Sequence, residues 1–165
     1  MALNPQCHLI SVTGGKGGVG KSVFAANFAQ ATVLELKARV LLIDLDAQSC
    51  GDQNFILGLK PAKTIAEVST FSGGISQATL NMLVAPHATG FHYIAAVKTP
   101  GETLSVDTNA LKKALESLSN FYQYIIVDLG TQLGEPQLAA LELSSACLTL
   151  TTPEILAVNQ TQKML

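Results

Sequence analysis

The sequence predicts an α/β fold of three layers, in which a mostly parallel sheet carries helices on both faces. Short, near-continuous apolar runs recur along the chain, as is typical of parallel strands that are buried on both sides. Segments with apolar residues at helical spacing separate these runs. A glycine-rich turn follows the first run directly and precedes the first helical segment. Together these features indicate strands and helices that alternate within one layered domain.

The predicted strands are the apolar runs, several of which are rich in β-branched residues. They cover residues 9–12, 40–45, 91–97, 124–127 and 147–150. Because these runs carry few charges, we expect them to be covered on both faces of the sheet. Glycines and prolines interrupt residues 51–90, so the sequence predicts little regular structure there beyond a short helix at 64–68.

The longer helices are predicted where apolar residues recur at helical spacing between the strands. They cover residues 22–36, 110–118, 135–143 and 153–165. Asp107 or Thr108 is expected to cap the second of them, and Pro153 is expected in the first turn of the last. No capping signal ends the last helix, so we expect residues 1–165 to form a single domain in the N-terminal part of a longer chain.

Composition excludes several classes of protein. The 165 residues are 48% hydrophobic and 13% charged, which excludes a disordered chain. Three widely spaced cysteines exclude a disulfide scaffold. A net charge of −2 offers no basic face, so we expect no direct binding of nucleic acid. No apolar stretch reaches the ~18 residues of a membrane helix, and residues 1–6 lack the features of a secretory signal. We therefore expect a cytoplasmic protein with no membrane anchor in this segment.

Residues 15–22, GKGGVGKS, match the phosphate-loop pattern G-x-x-x-x-G-K-[ST] in full. The glycines allow a tight turn whose amides converge on a phosphate, and the following helix directs its positive end at the same point. Lys21 would place its charge on the β- and γ-phosphates, and the Ser22 hydroxyl would bind Mg²⁺. The predicted nucleotide-binding residues are Gly15, Gly17, Gly18, Val19, Gly20, Lys21 and Ser22.

Lys16 lies inside the loop at a position where the pattern does not demand lysine. Taken alone, it is equally well explained as a solvated loop lysine. Phosphoryl transfer needs positive charge in the transition state, which an arginine often supplies. Arg39 is the only arginine of the chain, and it lies at the start of the second predicted strand. Lys16 is therefore the available substitute for such an arginine.

Four segments together carry a more specific pattern. They are VTGGKGGVGKS at 12–22, LLIDLDAQ at 41–48, IIVDLG at 125–130 and TTPE at 151–154. This combination resembles the deviant Walker A ATPases of the MinD/ParA family, and is closest to the CpaE/TadZ branch, which helps place pilus-assembly machinery. The resemblance extends over most of the chain. It implies the three-layer P-loop NTPase fold and the binding of ATP with Mg²⁺.

The resemblance also implies roles for Lys16 and three acidic residues. Lys16 would reach across a nucleotide-sandwich dimer to the partner's phosphates. Asp46 would position the attacking water, Asp44 would support the Mg²⁺ shell, and Asp128 would hold Mg²⁺ through water. From the residues alone, Asp44 is also explained as a structural carboxylate and Asp128 as a cap of a backbone amide. Asp44 and Asp46 would project from one side if the second strand stays extended through both.

We therefore expect an ATP-binding, slowly hydrolysing dimerisation switch that positions or recruits an assembly such as a pilus or secretion machine. Its expected partners are a second copy of the chain and assembly or localisation proteins. One alternative is a non-hydrolysing interaction module on the same fold, which is favoured by the absence of the family's common proline after Asp128. Another is a small-molecule synthetase of the dethiobiotin synthetase type, although the sequence shows no substrate pocket for it.

Overall fold

The fold is built on one sheet in which the strands Val40–Asp44 and Tyr124–Asp128 occupy the centre. The computed structural model describes residues 2–49, 51–61, 63–71, 75–99 and 105–165. Its strands are β1 His8–Thr13, β2 Val40–Asp44, β3 Ala85–Pro86, β4 His92–Ile94, β5 Tyr124–Asp128 and β6 Ala146–Thr149. They lie in the order β3-β4-β2-β5-β1-β6, and only the short β3 runs antiparallel to its neighbour. The predicted mostly parallel sheet is confirmed.

Helices cover both faces of this sheet. They are α1 Lys21–Leu36, α2 Asp52–Leu57, α3 Ile65–Ser69, α4 Gln77–Leu83, α5 Thr108–Leu118, α6 Glu135–Glu142 and α7 Ile155–Met164. The small residues of α1, such as Ala25 and Ala29, pack on one face of the sheet. Side chains from α3, α5 and α6, such as Val68, Leu115 and Ala140, pack on the other. The three-layer arrangement is therefore the predicted one.

The central strands are mostly apolar because each of their faces meets a helical layer. In β2, Leu42 belongs to the cluster that packs against α1. Its neighbours Leu41 and Ile43 belong to the opposite cluster. All of these side chains are fully buried, as the alternation of side chains along a strand requires in a sheet covered on both sides.

Several predicted boundaries are corrected by the structure. The strand predicted at 91–97 is only His92–Ile94, although Ala95 still forms an isolated bridge to Thr64. The last helix begins at Ile155 rather than at Pro153, and Glu154 is its N-cap. Asp107 is the cap of α5, since its Oδ1 accepts the amide of Ala110 at 2.8 Å. Helices α2 and α4 and strand β3 were not predicted.

The last strand differs from the expectation of burial on both faces. β6 covers Ala146–Thr149 instead of 147–150, and Ala146 and Cys147 are exposed. It lies at the edge of the sheet and pairs only with β1 among the described strands, so fewer atoms cover it. Within the described ranges, none of the helices combines the length and the apolar character that crossing a membrane requires.

Candidate nucleotide-binding site

The candidate site lies at the edge of the sheet where the parallel strands end. Val12 of β1 is in register with Asp128 of β5, and Asp44 of β2 is in register with the same Asp128 from the other side. The segments that follow these three strands must therefore meet at this edge. In sheets of this kind the ends of the strands form the usual ligand crevice.

The phosphate loop between β1 and α1 is open towards solvent. Gly18 and Gly20 have positive φ angles of 79° and 90°, which glycine adopts without strain. A Cβ atom on Gly17, Gly18 or Gly20 would meet nothing within 4 Å. Gly20 is also the N-cap of α1, and no side chain caps that helix. The amides of its first turn are therefore available to an anion.

Lys21 is held at the centre of this loop. Its side chain is buried, with only 6% of the residue exposed. Nζ donates to the carbonyl oxygen of Lys16 at 3.0 Å and to Oγ1 of Thr131 at 2.8 Å. The ammonium group therefore connects the loop to the segment after β5. Both acceptors are neutral, so the charge of Lys21 is solvated by dipoles and remains able to attract a phosphate.

Gly15 and Val19 have packing contacts that the motif does not reveal. A Cβ on Gly15 would lie 2.3 Å from the amide nitrogen of Thr161 in α7, so only glycine fits against that helix. Gly14 is similarly close to the carbonyl oxygen of Leu150, and a Cβ there would also lie 3.3 Å from Cγ2 of Val19. The first part of the loop is thus enclosed by α7 and the end of β6, while the rest is open.

Asp128 and Ser22 lie on the inner side of the loop. Asp128 is fully buried at the end of β5, and its Oδ1 accepts the amide of Gly130 at 3.1 Å. Its Oδ2 is buried without a hydrogen-bond partner in the described part of the chain. Burial raises the pKa of Asp128, and the nearby Ser22 hydroxyl and Gly130 amide lower it only in part. Asp128 therefore caps an amide with one oxygen and keeps the other available.

Asp44 has the same character on the adjacent strand. It is fully buried, its Oδ1 accepts the amide of Asp46 at 2.8 Å, and its Oδ2 has no partner among the residues that the structure describes. Burial, followed by the proximity of Asp128, raises the pKa of Asp44 well above its ordinary range. Two neighbouring carboxylates with unpartnered oxygens fit a hard cation such as Mg²⁺, which takes carboxylate, hydroxyl and water ligands.

Asp46 is placed by a turn rather than by the strand. β2 ends at Asp44, so the strand does not stay extended through both acids, and the condition under which they would project from one side is not met. Oδ1 of Asp46 accepts the amides of Gln48 and Ser49 at 3.0 and 3.3 Å. A Cβ on Gly130 would lie 2.4 Å from Cγ of Asp46, so the carboxylate rests directly on that glycine. Asp46 is therefore fixed between two loops.

Several of the predicted site residues line one cavity of about 440 Å³. These are Gly17, Gly18, Gly20, Lys21, Ser22 and Asp46. Asp44 and Asp128 are not among its lining residues, since both are buried at the strand ends. Cavities of about 540 and 570 Å³ occur beside α5 and α2, so size alone does not identify the site. The phosphate-loop cavity is distinguished by its glycine backbone and its buried lysine.

Lys16 makes a contact within its own chain. Its Nζ lies 2.6 Å from Oε2 of Glu154, at the start of α7. The side chains are 30% and 54% exposed, so this is a surface ion pair. Sequence reasoning included Glu154 only as part of the TTPE segment and gave it no role. The pairing of β6 with β1 brings the two residues together, and the sequence contains no local signal of that pairing.

Thr131 was also missed as a site residue. It lines the cavity and accepts the hydrogen bond of Lys21 described above. Its position three residues after Asp128 is a usable signal, because residues that follow a strand at this edge face the phosphate loop. Gln48, Ser49 and Asp52 line the same cavity from the segment after β2.

Comparisons with known proteins identify the family. A family model described as an AAA domain, AAA_31, matches residues 7–165. The chromosome partitioning protein ParA of Myxococcus xanthus is 32% identical over an alignment of 152 positions that covers 85% of this chain and 50% of that protein. A ParA family ATPase from Chlorobium tepidum has a TM-score of 0.84 and 25% identity, covering 96% of this chain and 66% of that chain.

A more distant solved structure has the same fold. The septum site-determining protein MinD of Pyrococcus horikoshii, solved as a complex with Mg-ADP, has a TM-score of 0.69 and 21% identity. The match covers 96% of this chain and 63% of that chain. The chain thus spans half of the ParA relative and less than two thirds of these solved chains. Since the family model covers nearly the whole sequence, the chain belongs to the AAA_31 family and is a member of the MinD/ParA family of P-loop ATPases, which includes proteins of chromosome partitioning and septum placement.

Proposed function

We propose that the chain binds ATP with Mg²⁺, hydrolyses it slowly, and acts as a dimerisation switch that positions or recruits a cellular assembly. The observation that carries the proposal is the buried ammonium group of Lys21 at the centre of an open glycine loop. The resemblance of the quoted segments to the CpaE/TadZ branch supports a pilus or secretion machine as that assembly. Residues 1–165 would be the N-terminal nucleotide-binding domain of a longer chain.

The backbone of the loop supplies the binding groups for the phosphates. Residues 15–20, including Val19, would direct amides at the phosphate oxygens, and the free first turn of α1 would add its positive end. Lys21 would exchange its bonds to the Lys16 carbonyl and the Thr131 hydroxyl for bonds to phosphate. The donor is charged in both states, but phosphate is an anionic acceptor and the present acceptors are neutral, so the exchange adds the attraction between opposite charges and favours binding.

Ser22, Asp44 and Asp128 would hold Mg²⁺. The unpartnered Oδ2 atoms of both acids and the nearby Ser22 hydroxyl are the ligand types that this ion prefers, with water completing its shell. When bound, Mg²⁺ neutralises charge on the triphosphate. The buried carboxylates would no longer repel each other, so the ion would also relieve an electrostatic cost of the fold.

Asp46 would orient the attacking water. Its Oδ1 already accepts two backbone amides, which occupy both lone pairs of that oxygen, so only Oδ2 is left to accept a hydrogen bond from a water. Turnover is therefore expected to be slow. The same observation favours the second candidate function, a module that binds nucleotide without hydrolysing it. Measuring phosphate release together with calorimetric binding of Mg-ATP separates the two, because only the first function predicts release.

Lys16 would act between two copies of the chain. In an ATP-bound pair, each Lys16 would contact the phosphates bound by the other copy, so ATP would favour the pair over the single chain. A ligand shifts an equilibrium only through contacts that differ between the two states, and this contact exists only in the dimer. Release of phosphate would remove it and let the copies separate.

The test compares Lys21→Ala and Lys16→Ala with Lys113→Ala, a control at an exposed lysine of α5. Calorimetry measures Mg-ATP binding, and light scattering measures mass with ATP and with ADP. We expect Lys21→Ala to weaken binding about 10- to 100-fold, because it removes hydrogen bonds to a charged group. Lys16→Ala should bind ATP normally but should not dimerise. The control should behave as the unchanged chain.

Three results would contradict the proposal. If the unchanged chain keeps its monomeric mass with Mg-ATP at saturating concentration, it is not a dimerisation switch. If Lys16→Ala dimerises and releases phosphate as well as the unchanged chain, Lys16 has no role across the interface. Failure of the folded chain to bind Mg-ATP would reject the nucleotide site itself.

A further inference from the structure

Helix α2 forms part of the wall of the phosphate-loop cavity. Asp52 and Ile56 are four residues apart, so they lie on one side of the helix, and both line the cavity. The helix has only six residues, Asp52–Leu57, and a helix of this length is not stable by itself in water. Its position must therefore be fixed by contacts with the rest of the chain.

Apolar packing fixes α2 only weakly. Phe55 is 90% exposed and Ile56 is 39% exposed, so neither buries much apolar surface. Leu57 is half-buried against the cluster on the α1 side of the sheet. Gln53 is buried, but neither polar atom of its side-chain amide has a hydrogen-bond partner among the described residues. Burying such an amide is unfavourable, so the helix depends on other contacts to stay in place.

Asn54 joins α2 to strand β4 and the segment that follows it. It lies two residues from both Asp52 and Ile56, and therefore on the side of the helix away from the cavity. Its Oδ1 accepts a hydrogen bond from the Tyr93 hydroxyl at 2.7 Å, and its Nδ2 donates to the carbonyl oxygen of Val97 at 3.2 Å. Both ends of the amide are used, so the side chain is fixed in one orientation.

Tyr93 gives this contact a rigid support. It is fully buried in β4, in register with Leu42 of β2, and it belongs to the cluster that packs against α1. Burial, followed by the negative charges of Asp44 and Asp128, raises the pKa of Tyr93. The hydroxyl therefore keeps its proton at neutral pH and can donate it to Asn54.

We infer that Tyr93 and Asn54 are positioning residues that hold α2 in place as a wall of the nucleotide cavity. The inference rests on the proposed function, because it requires the cavity to bind nucleotide. Neither side chain lines the cavity, so both would act through Asp52 and Ile56. A nucleotide that binds best when α2 is in place would in turn stabilise that position, because coupling between two equilibria is reciprocal.

The first experiment removes the Tyr93 hydroxyl with Tyr93→Phe. The matched control is Tyr122→Phe, which also removes the hydroxyl of a buried tyrosine, one that shares a hydrogen bond with Nδ1 of His92 at 2.6 Å. Tyr122 precedes β5, so it lies at the end of the sheet away from the cavity. Both variants lose one hydrogen bond of a buried hydroxyl, so a difference between them in nucleotide binding reports position rather than general stability.

Hydrogen exchange at the amides of residues 54–59 measures how often α2 leaves its place, and calorimetry measures Mg-ATP affinity. We expect Tyr93→Phe to speed this exchange by about 5- to 100-fold, because the Asn54 oxygen loses its partner. Its Mg-ATP affinity should fall by about two- to tenfold, because only chains with α2 in place bind well. Tyr122→Phe should match the unchanged chain in both. Mg-ATP should slow the exchange of the unchanged chain.

The second experiment tests the bond from its other end with Asn54→Ala. We expect the same two effects as in Tyr93→Phe. The double variant of Tyr93→Phe and Asn54→Ala should bind Mg-ATP about as well as Asn54→Ala alone, because both changes remove one shared interaction. Losses of affinity that multiply in the double variant would show that the two side chains act separately, and would overturn the inference.

The other outcomes are also decisive. The inference fails if Tyr93→Phe matches Tyr122→Phe in Mg-ATP affinity or in exchange at residues 54–59, or if Mg-ATP leaves the exchange of the unchanged chain as it was. In these cases the unchanged chain still binds Mg-ATP, and the proposed nucleotide site stands. If the folded unchanged chain does not bind Mg-ATP, the proposed function fails and the inference fails with it.

Discussion

Asp44 and Asp128 are register partners on adjacent parallel strands, and both are fully buried. Each uses one carboxylate oxygen to accept a backbone amide two residues further along the chain. Each retains a second oxygen with no partner in the described ranges. Burial raises the pKa of both groups. The folded chain thus maintains an unfavourable arrangement that a bound cation would correct.

Replacing Asp128 with asparagine should separate stability from function. Asparagine removes a buried charge, so we expect the nucleotide-free chain to unfold about 2–4 °C higher, which corresponds to about 1 kcal/mol. Mg-ATP should raise the unfolding temperature of the unchanged chain but not that of Asp128→Asn. Thermal unfolding with and without Mg-ATP measures both. Asp107→Asn is the control, because asparagine caps α5 as well as aspartate and should leave stability unchanged. A less stable Asp128→Asn chain that still responds to Mg-ATP would contradict the prediction.

Replacing Gly130 with alanine should displace Asp46. Gly130 has a φ of 69°, and a Cβ there would lie 2.4 Å from Cγ of Asp46. Gly58→Ala is a matched control, since its φ is 62° but nothing lies near its Cβ. Urea unfolding should show a loss of about 1 kcal/mol for Gly58→Ala and a larger loss for Gly130→Ala. Phosphate release should fall only in Gly130→Ala. Equal losses of stability, with unchanged phosphate release, would show that Asp46 does not depend on this glycine.

Glu67 should make a pH-dependent contribution to stability. Burial acts to raise its pKa, but hydrogen bonds from Lys98, from the Thr64 amide and from Lys63 lower it to about 2. Because the unfolded value is about 4.3, the native state stabilises the charged form, and this stability is lost as pH falls from about 4.5 towards 2. We expect Glu67→Gln to lower the free energy of unfolding by about 1 kcal/mol at neutral pH.

The corresponding measurement is urea unfolding of both chains at several pH values. The difference between them should be greatest near neutral pH and should shrink at about pH 3, where Glu67 is already protonated in the unfolded state but still mostly charged in the native state. Glu142→Gln, which loses a single exposed ion pair, is the control for a general effect of charge. A difference that is constant across pH would contradict the assigned cause.

Much of the fold could be predicted because burial on both faces leaves continuous apolar runs in the sequence. The central strands β1, β2 and β5 were found within a few residues of their bounds. Helices α2 and α4 were not found, because segments of six and seven residues are too short to show a helical period. α3 was expected, and its capping box between Thr64 and Glu67 is visible in the sequence.

The candidate site could be predicted only where its residues belong to local motifs. The phosphate loop is continuous, so its glycines, Lys21 and Ser22 could be named from spacing alone. The turn that removes Asp46 from the strand could not be predicted. It depends on hydrogen bonds from the backbone amides of Gln48 and Ser49, and backbone amides leave no pattern in the sequence. The contact of Lys16 with Glu154 joins residues 138 positions apart and follows from strand order, which the sequence does not display.

The absence of a side chain at position 15 couples the phosphate loop to α7. A glycine at the start of a phosphate loop is usually explained by the close approach of the phosphate. Here Gly15 is also the residue against which the backbone of α7 packs. Because the two backbones are in contact, a change in the conformation of the loop would shift α7, and a shift of α7 would change the conformation of the loop. A partner that binds the exposed side chains of Ile155 and Leu156 would therefore be coupled through α7 to the conformation of the phosphate loop and to its nucleotide.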